Sequence, residues 1–288
     1  PQGKEIVRTW LYYTLLRGYL ETGKPCFEDV WIHQHILDEQ GRKMSKSLGN
    51  VIDPQEILKN EGAEALRLWS SIEGDLAGQD LMCSRERIRA ELKTLNKLLN
   101  AAKFVSLFDK PKKKPKLTKI DEYFINYIDD ITYRTDISYN NYDFHNPALE
   151  LREFLWESFA SHYIEMIKGR AYNEEGLFSE DECDSAKYTL HYVFERLLIL
   201  FYPIIPQITS VIADDMGIAL LNCKFPEVEK KKFDSSKIKE LKDFNGLVWK
   251  TKKDKGISLR EGISGLAVPG SLMDFEKDLK ECHKLEKI

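Results

Sequence analysis

The chain has 288 residues, 42% of them hydrophobic and 11% aromatic, enough for two or three domains with genuine cores. Charged residues make up 31% yet sum to −4, which excludes a polycation and leaves any nucleic-acid contact to local patches. The five cysteines stand far apart without a CxxC or clustered histidines, so no metal site is expected and a reduced, cytoplasmic setting is; no apolar run reaches the ~18 residues that span a bilayer.

The sequence opens on Pro1 without a methionine, and a piece of a longer polypeptide is expected. Apolar spacing predicts a helix over Ile6 to Leu20 and a short strand in "DVWIHQHIL", Asp29 to Leu37. "GRKMSKSLGN", Gly41 to Asn50, has neither period and reads as a loop. A helix start follows, with Asp53 as N-cap, Pro54 at the first helical position and Glu56 placed to close a capping box.

From about Arg85 the pattern stays helical for more than a hundred residues. Apolar stripes run through Ile88, Leu92, Leu95, Leu99 and Ala102; Ile120, Phe124, Tyr127 and Ile131; Leu151, Leu155, Phe159 and Tyr163; and Ala186, Leu190, Val193, Leu197 and Phe201. Four such helices predict an antiparallel bundle. The lysine-rich break Asp109 to Lys119 holds Pro111 and Pro115 and cannot remain helical. "YPIIP", Tyr202 to Pro206, ends the fourth helix and leads to a short apolar one, and after about Glu227 short β-like runs and a final helix suggest a small α/β appendage. The expected divisions are 1–80, 81–227 and 228–288, in a mainly α chain.

Two lysines three apart, Lys43 and Lys46, can place an ammonium on separate phosphate oxygens, while Ser45, Ser47 and backbone amides add neutral donors. Gly41 and Gly49 permit the turns. Such a loop suits a triphosphate whose leaving group is pyrophosphate; a solvated basic turn is the plainer alternative.

The pentapeptide Lys43-Met44-Ser45-Lys46-Ser47, after a strand and before a capped helix and a long bundle, resembles the signature loop of class I aminoacyl-tRNA synthetases at all five positions. "GAEALRLW", Gly62 to Trp69, is similar to the stem-contact helix of that class, with Glu64 where aspartate is usual. The resemblance implies the C-terminal remnant of a Rossmann-type α/β nucleotide fold, with Lys43 and Lys46 catalytic, Glu5, His33, Met44, Ser45 and Ser47 holding ATP with its Mg2+, and the bundle as an anticodon-binding domain.

Within the class, "GKEIVRTW", Gly3 to Trp10, resembles the branched-chain subgroup. It implies Glu5 on the ATP ribose, Trp10 as a wall of the side-chain pocket, and Ile6 beside it. An aliphatic residue at Ile6 is similar to valyl members, where isoleucyl ones tend to carry glutamine. Four residues apart, Ile6 and Trp10 can face one small cavity, though ordinary core packing remains open for both. "LNKLLNAAKF", "YIEMIKGRAY" and "FEKDLKECHKL" also resemble the archaeal-type valyl family. One departure is Gln34 after His33, where the family commonly shows His-Gly. A metal pair at His33 and His35 would lack a third ligand.

The implied partners are ATP, valine and tRNA(Val), with no membrane and a monomeric state. Asn96, Lys97, Asn100 and Phe104 are candidate tRNA contacts, with a solvated face or core packing as the alternative. Six lysines lie in Lys110 to Lys119 and ten in Lys230 to Lys255, to be placed on phosphates or simply in solvent. Because a His-x-Gly-His segment is absent, the chain alone is not expected to activate an amino acid. The competing readings are an isoleucine–tRNA ligase piece and a stand-alone tRNA-binding module.

Overall fold

The computed structural model describes residues 1–75, 78, 80–230 and 233–285. Two compact units emerge, one of Pro1–Lys93 with Tyr142–Leu149, the other of Thr94–Asn141 with Glu150–Ile288.

In the first unit, β1 (Gln2–Gly3) pairs in parallel with β2 (Ile32–His33). The crossover between them is a tight turn at Lys4–Ile6, a wide helical turn at Val7–Leu11 and helix α1 (Tyr12–Thr22). The expected helix from Ile6 is thus three successive elements, and Ile6 and Trp10 lie on different ones. β3 (Ile36–Leu37) pairs in parallel with β4 (Leu81–Met82), after α2 (Pro54–Asn60) and α3 (Ala63–Ile72). The single strand expected over Asp29 to Leu37 is therefore two, each serving its own sheet. The chain breaks where the His35 N–H donates to Asp80 Oδ1 at 2.8 Å, away from a ladder.

The Asp53 carboxylate caps α2 by accepting from the Gln55 N–H at 2.9 Å, with Pro54 beginning the helix. Glu56 lies against Arg85 at 3.6 Å instead of closing a capping box. Ile57, Leu68, Trp69, Leu81 and Ile88 are buried in this unit. Helix α1 buries none of its side chains, and Tyr12, Tyr13, Leu16, Tyr19 and Leu20 are exposed.

α4 (Arg85–Val105) enters the second unit at Thr94, and its buried stripe passes through Leu95, Leu98 and Ala102, so that Leu98 takes the place expected for Leu99. There follow α5 (Lys119–Asn140), α6 (His145–Glu153) continued by a wide-turned stretch Phe154–Tyr163 into α7 (Ile164–Tyr172), α8 (Glu180–Phe201) and α9 (Pro206–Asp215). The stripes of the third and fourth predicted helices are fully buried from Leu151 to Tyr163 and Ala186 to Phe201. Each such Leu or Phe contributes about 1.5–3 kcal/mol of apolar transfer. Tyr127, Phe124 and Asp121 of α5 meet Phe154, Tyr163 and Arg170 in reverse order, so these elements run antiparallel. Asp129 and Tyr139 of α5, with Thr118 just before it, meet Tyr192, Leu200 and Ser185 in the same order, so α5 and α8 run side by side in one direction. The first lysine cluster is non-helical up to Thr118, as expected across Pro111 and Pro115, and its Lys110 pairs with Glu195 at 2.6 Å.

The segment after residue 227 is helical, with α10 (Ser236–Asp254) and α11 (Glu276–His283), and its β content among the described residues is one parallel bridge between Ile263 and Leu285. Glycines at 256, 262 and 265 interrupt the β-like runs, and polar groups hold the segment instead. Lys252, fully buried, donates to the carbonyls of Leu259 at 3.0 Å, Glu261 at 2.7 Å and His283 at 2.8 Å. Of the lysines proposed to track phosphates, this one is internal structure; Lys231 and Lys232 lie outside the described residues. Asn245 bridges His162 Nδ1 at 2.9 Å and His283 Nε2 at 2.7 Å, and Trp249 packs on both imidazoles. Trp249 and the buried Phe244 thus anchor this segment. Arg170 donates through Nε to Asp278 at 2.7 Å and clasps Asp121 with Nη1 at 2.7 Å and Nη2 at 2.9 Å. Tyr163, Ser185 and Thr118 complete the shell of Asp121.

Candidate functional site

The loop Gly41 to Asn50 is built around one carboxylate. Asp38, buried at the end of β3, accepts from the backbone N–H groups of Gln40 at 3.1 Å and Arg42 at 2.8 Å, from Arg42 Nε at 2.9 Å and from Asn50 Nδ2 at 2.8 Å. The Asn50 amide first, and Arg42 after it, holds the Asp38 carboxyl down to about 2. Asn50 in turn accepts from the Ser45 N–H at 2.9 Å and donates to the Lys43 carbonyl at 3.3 Å.

Inside that frame Ser45 caps a short turn, Lys46–Leu48, by accepting from the Leu48 N–H, and Gly49 closes it at φ +64, a value that glycine adopts without strain. Ser45 Oγ lies 3.1 Å from Ser47 Oγ, and Met44 Sδ accepts from the Ile52 N–H at 3.5 Å. Lys43 and Lys46 are exposed, and among the described residues neither ammonium donates a hydrogen bond. The loop thus presents two cations on a fixed backbone, an arrangement able to receive a polyphosphate.

Glu5 stands on the turn after β1, exposed, with Oε2 3.7 Å from His35 Nδ1. Its own backbone N–H chiefly, then the positive fields of His35, Lys43 and His33, hold its carboxyl below the ordinary range. The Lys43 charge thus contributes to lowering the Glu5 carboxyl. His33 Nδ1 lies 2.9 Å from the Gln34 carbonyl. Gln34, at the position of the family's glycine, accepts from Lys4 Nζ at 2.6 Å, and Lys4 also pairs with Asp80 at 2.7 Å. Ile6 is 40% and Trp10 52% exposed within this chain; Trp10 stacks against Phe27 with centroids 6.4 Å apart.

In the other unit, Asn96, Asn100 and Phe104 recur every four residues along one face of α4, with both asparagines exposed. Lys97 lies 4.9 Å over the Trp156 ring, and Phe104 meets Phe108 and Tyr172 edge-on beneath Lys168. Lys97 also lines a cavity of about 880 Å³ shared with Lys168, Tyr172, Trp249, Arg260 and Lys284, which sequence reasoning did not reach. Sequence reasoning also missed Asp38 and Asn50; the signal was an acid before the basic loop and an amide closing it.

Residues 121–266, half of the chain, match the family described as the anticodon-binding domain of tRNA ligase, and residues 1–82 match the class I tRNA synthetases (I, L, M and V). The valine–tRNA ligase of Aeropyrum pernix is 36% identical over 99% of this chain, and that of Nanoarchaeum equitans 38% identical over 99%. The chain spans 36% and 37% of the length of these two relatives. Among solved structures, methionyl-tRNA synthetase of Mycobacterium tuberculosis in complex with methionyl-adenylate superposes with a TM-score of 0.59 at 22% identity, covering 75% of this chain and 43% of that one, a likeness of fold. The chain belongs to the class I tRNA ligases: a synthetase region carrying the Lys43–Ser47 loop leads into an anticodon-binding domain, and its relatives across nearly its whole length are valine–tRNA ligases.

Proposed function

We propose that this chain serves a valine–tRNA ligase, which joins valine to ATP as an adenylate and then transfers it to tRNA(Val). In the first step a valine carboxylate oxygen attacks the α-phosphorus, and the bond to the β-phosphate oxygen breaks to release pyrophosphate. Lys43 and Lys46 neutralise the charge that gathers on this leaving group, while Ser45, Ser47 and the loop amides donate to it. Glu5 accepts from the ATP ribose, His33 and Met44 flank the nucleotide, and Ile6 and Trp10 line the valine side chain. Mg2+ travels with ATP. Asn96, Lys97, Asn100 and Phe104 contact the tRNA in the helical part, where unstacked bases find polar and aromatic groups interleaved. The divisions 1–80, 81–227 and 228–288 are kept as functional regions.

The observation that carries this reading is the pair of exposed ammonium groups on a backbone fixed by Asp38 and Asn50, within electrostatic reach of Glu5. The experiment is valine-dependent ATP–pyrophosphate exchange by the full-length protein that carries this chain. Lys46→Ala lowers the rate by about a hundredfold, the scale of losing one charge-stabilising donor, with tRNA affinity unchanged. Exchange supported by isoleucine in place of valine would move the assignment to the isoleucyl enzyme. Unaltered exchange in Lys46→Ala would leave a tRNA-binding module.

A further inference from the structure

Loops that carry transition-state charge need to be both reachable and placed. Here the placement is done by two residues that lie outside the Lys43–Ser47 pentapeptide. Asn50 touches the backbone on both sides of Met44: its Oδ1 receives the Ser45 N–H at 2.9 Å, and its Nδ2 reaches the Lys43 carbonyl at 3.3 Å. The same Nδ2 donates to Asp38 Oδ2 at 2.8 Å. Asp38 is 4% exposed and directly follows β3 (Ile36–Leu37), so the amide is tied to the buried end of a strand. Arg42 closes the other side, with its N–H and guanidinium both on Asp38 and its carbonyl accepting from the Asp38 N–H at 2.9 Å. Lys43 then forms an isolated antiparallel bridge with Leu37. The two lysines are thereby registered from a single anchor: Lys43 through its carbonyl, and Lys46 through Ser45, which caps the turn that Lys46 begins.

We infer that Asp38 and Asn50 are positioning residues for the charge-stabilising loop, a carboxylate–amide latch that holds the Lys43 and Lys46 backbone in register with the nucleotide. This rests on the ligase reading above. Neither side chain touches substrate; each acts through the backbone of the lysines. Losing the latch lets the loop sample misaligned positions, and an ångström of misplacement at a reacting centre costs on the order of a hundredfold in rate. The effect falls on kcat, because the lysines matter most when the leaving group gains charge.

The test uses the full-length protein with Asn50→Ala, and with Asp38→Asn as a second variant that keeps shape but removes the anchoring charge. Asn50→Ala is expected to lower kcat of pyrophosphate exchange by about ten- to a hundredfold, with KM for valine and affinity for tRNA within about twofold. In a Lys46→Ala background the same change should cost less than about threefold, since residues acting as one unit are not additive. Cleavage by trypsin after Arg42, Lys43 and Lys46, followed by mass spectrometry, should accelerate severalfold in both latch variants with the thermal midpoint unchanged. If Lys46→Ala abolishes exchange while Asn50→Ala leaves it intact, the latch is wrong and the ligase reading stands. Full additivity of the two changes, or a parallel loss of valine affinity, also overturns the latch. Should Lys46→Ala have no effect, the ligase reading fails, and unchanged tryptic cleavage would then remove the latch as well.

Discussion

Arg170 and Asp278 meet at 2.7 Å where both side chains are nearly solvent-free, at 1% and 8% exposure, and the same guanidinium also clasps Asp121. One cation therefore serves two buried carboxylates. Burial pushes the Asp278 carboxyl up to about 6 in spite of Arg170.

Arg170→Met keeps the volume and removes the charge, leaving Asp121 with only its hydroxyl donors and no cation for either Asp121 or Asp278. It is expected to destabilise the chain by about 3–5 kcal/mol, the usual result of stripping one partner from a buried pair. Urea unfolding checks this, and a change below about 1 kcal/mol would show that the carboxylates find other partners.

Lys252→Met leaves the carbonyls of Leu259, Glu261 and His283 without their donor. Unsatisfied buried polar groups cost about 1–3 kcal/mol each, so a loss of about 3 kcal/mol is expected. Hydrogen exchange should rise first over residues 257–285; uniform exchange across the chain would assign Lys252 no local clamp.

Acid should weaken the fold. His162 and His283 are buried and held down to about 4, whereas an unfolded imidazole titrates near 6.5. The unfolded chain binds more protons between those values, so stability is lost as pH falls through 6.5 toward 4. Asp278 opposes this, because its folded carboxyl takes a proton near 6 and the unfolded one only near 3.8. Two histidines outweigh one aspartate, and the urea midpoint should be lower at pH 5 than at pH 7. His283→Gln should shrink that difference, and a midpoint that rose at pH 5 would reverse the assignment.

Trp10→Ala should raise KM for valine about tenfold in the full-length protein, as expected for ~1.4 kcal/mol of lost contact, while tRNA affinity stays level. Equal loss for ATP and valine would place Trp10 elsewhere than on the amino-acid pocket.

Much of the helical part was legible because its stripes obey one period: Leu151 to Tyr163 and Ala186 to Phe201 are buried as spaced. The pentapeptide was legible because its chemistry is local. What escaped was polar and long-range. Lys252 lies among nine other lysines of its cluster, yet it follows Leu241, Asn245 and Val248 at buried helical spacing, a cue that composition hides. Asp38 and Asn50 are twelve residues apart, and the acid before the basic loop and the amide after it do not by their spacing reveal that they share a hydrogen bond. The strand Asp29 to Leu37 was split by Asp80, a residue more than forty positions away.

The shared direction of α5 and α8 has a consequence for that lone guanidinium. Both helices begin at the same end, with Asp121 in the first turn of one and Glu182 in the first turn of the other, and Asp278 stands in the first turn of α11. Arg170 belongs to the last turn of α7. Helix beginnings carry roughly half a positive charge and helix ends roughly half a negative one, from aligned peptide dipoles. The carboxylates therefore sit at electropositive termini and the guanidinium at an electronegative one, so backbone partial charges make up the cation that side chains alone leave missing.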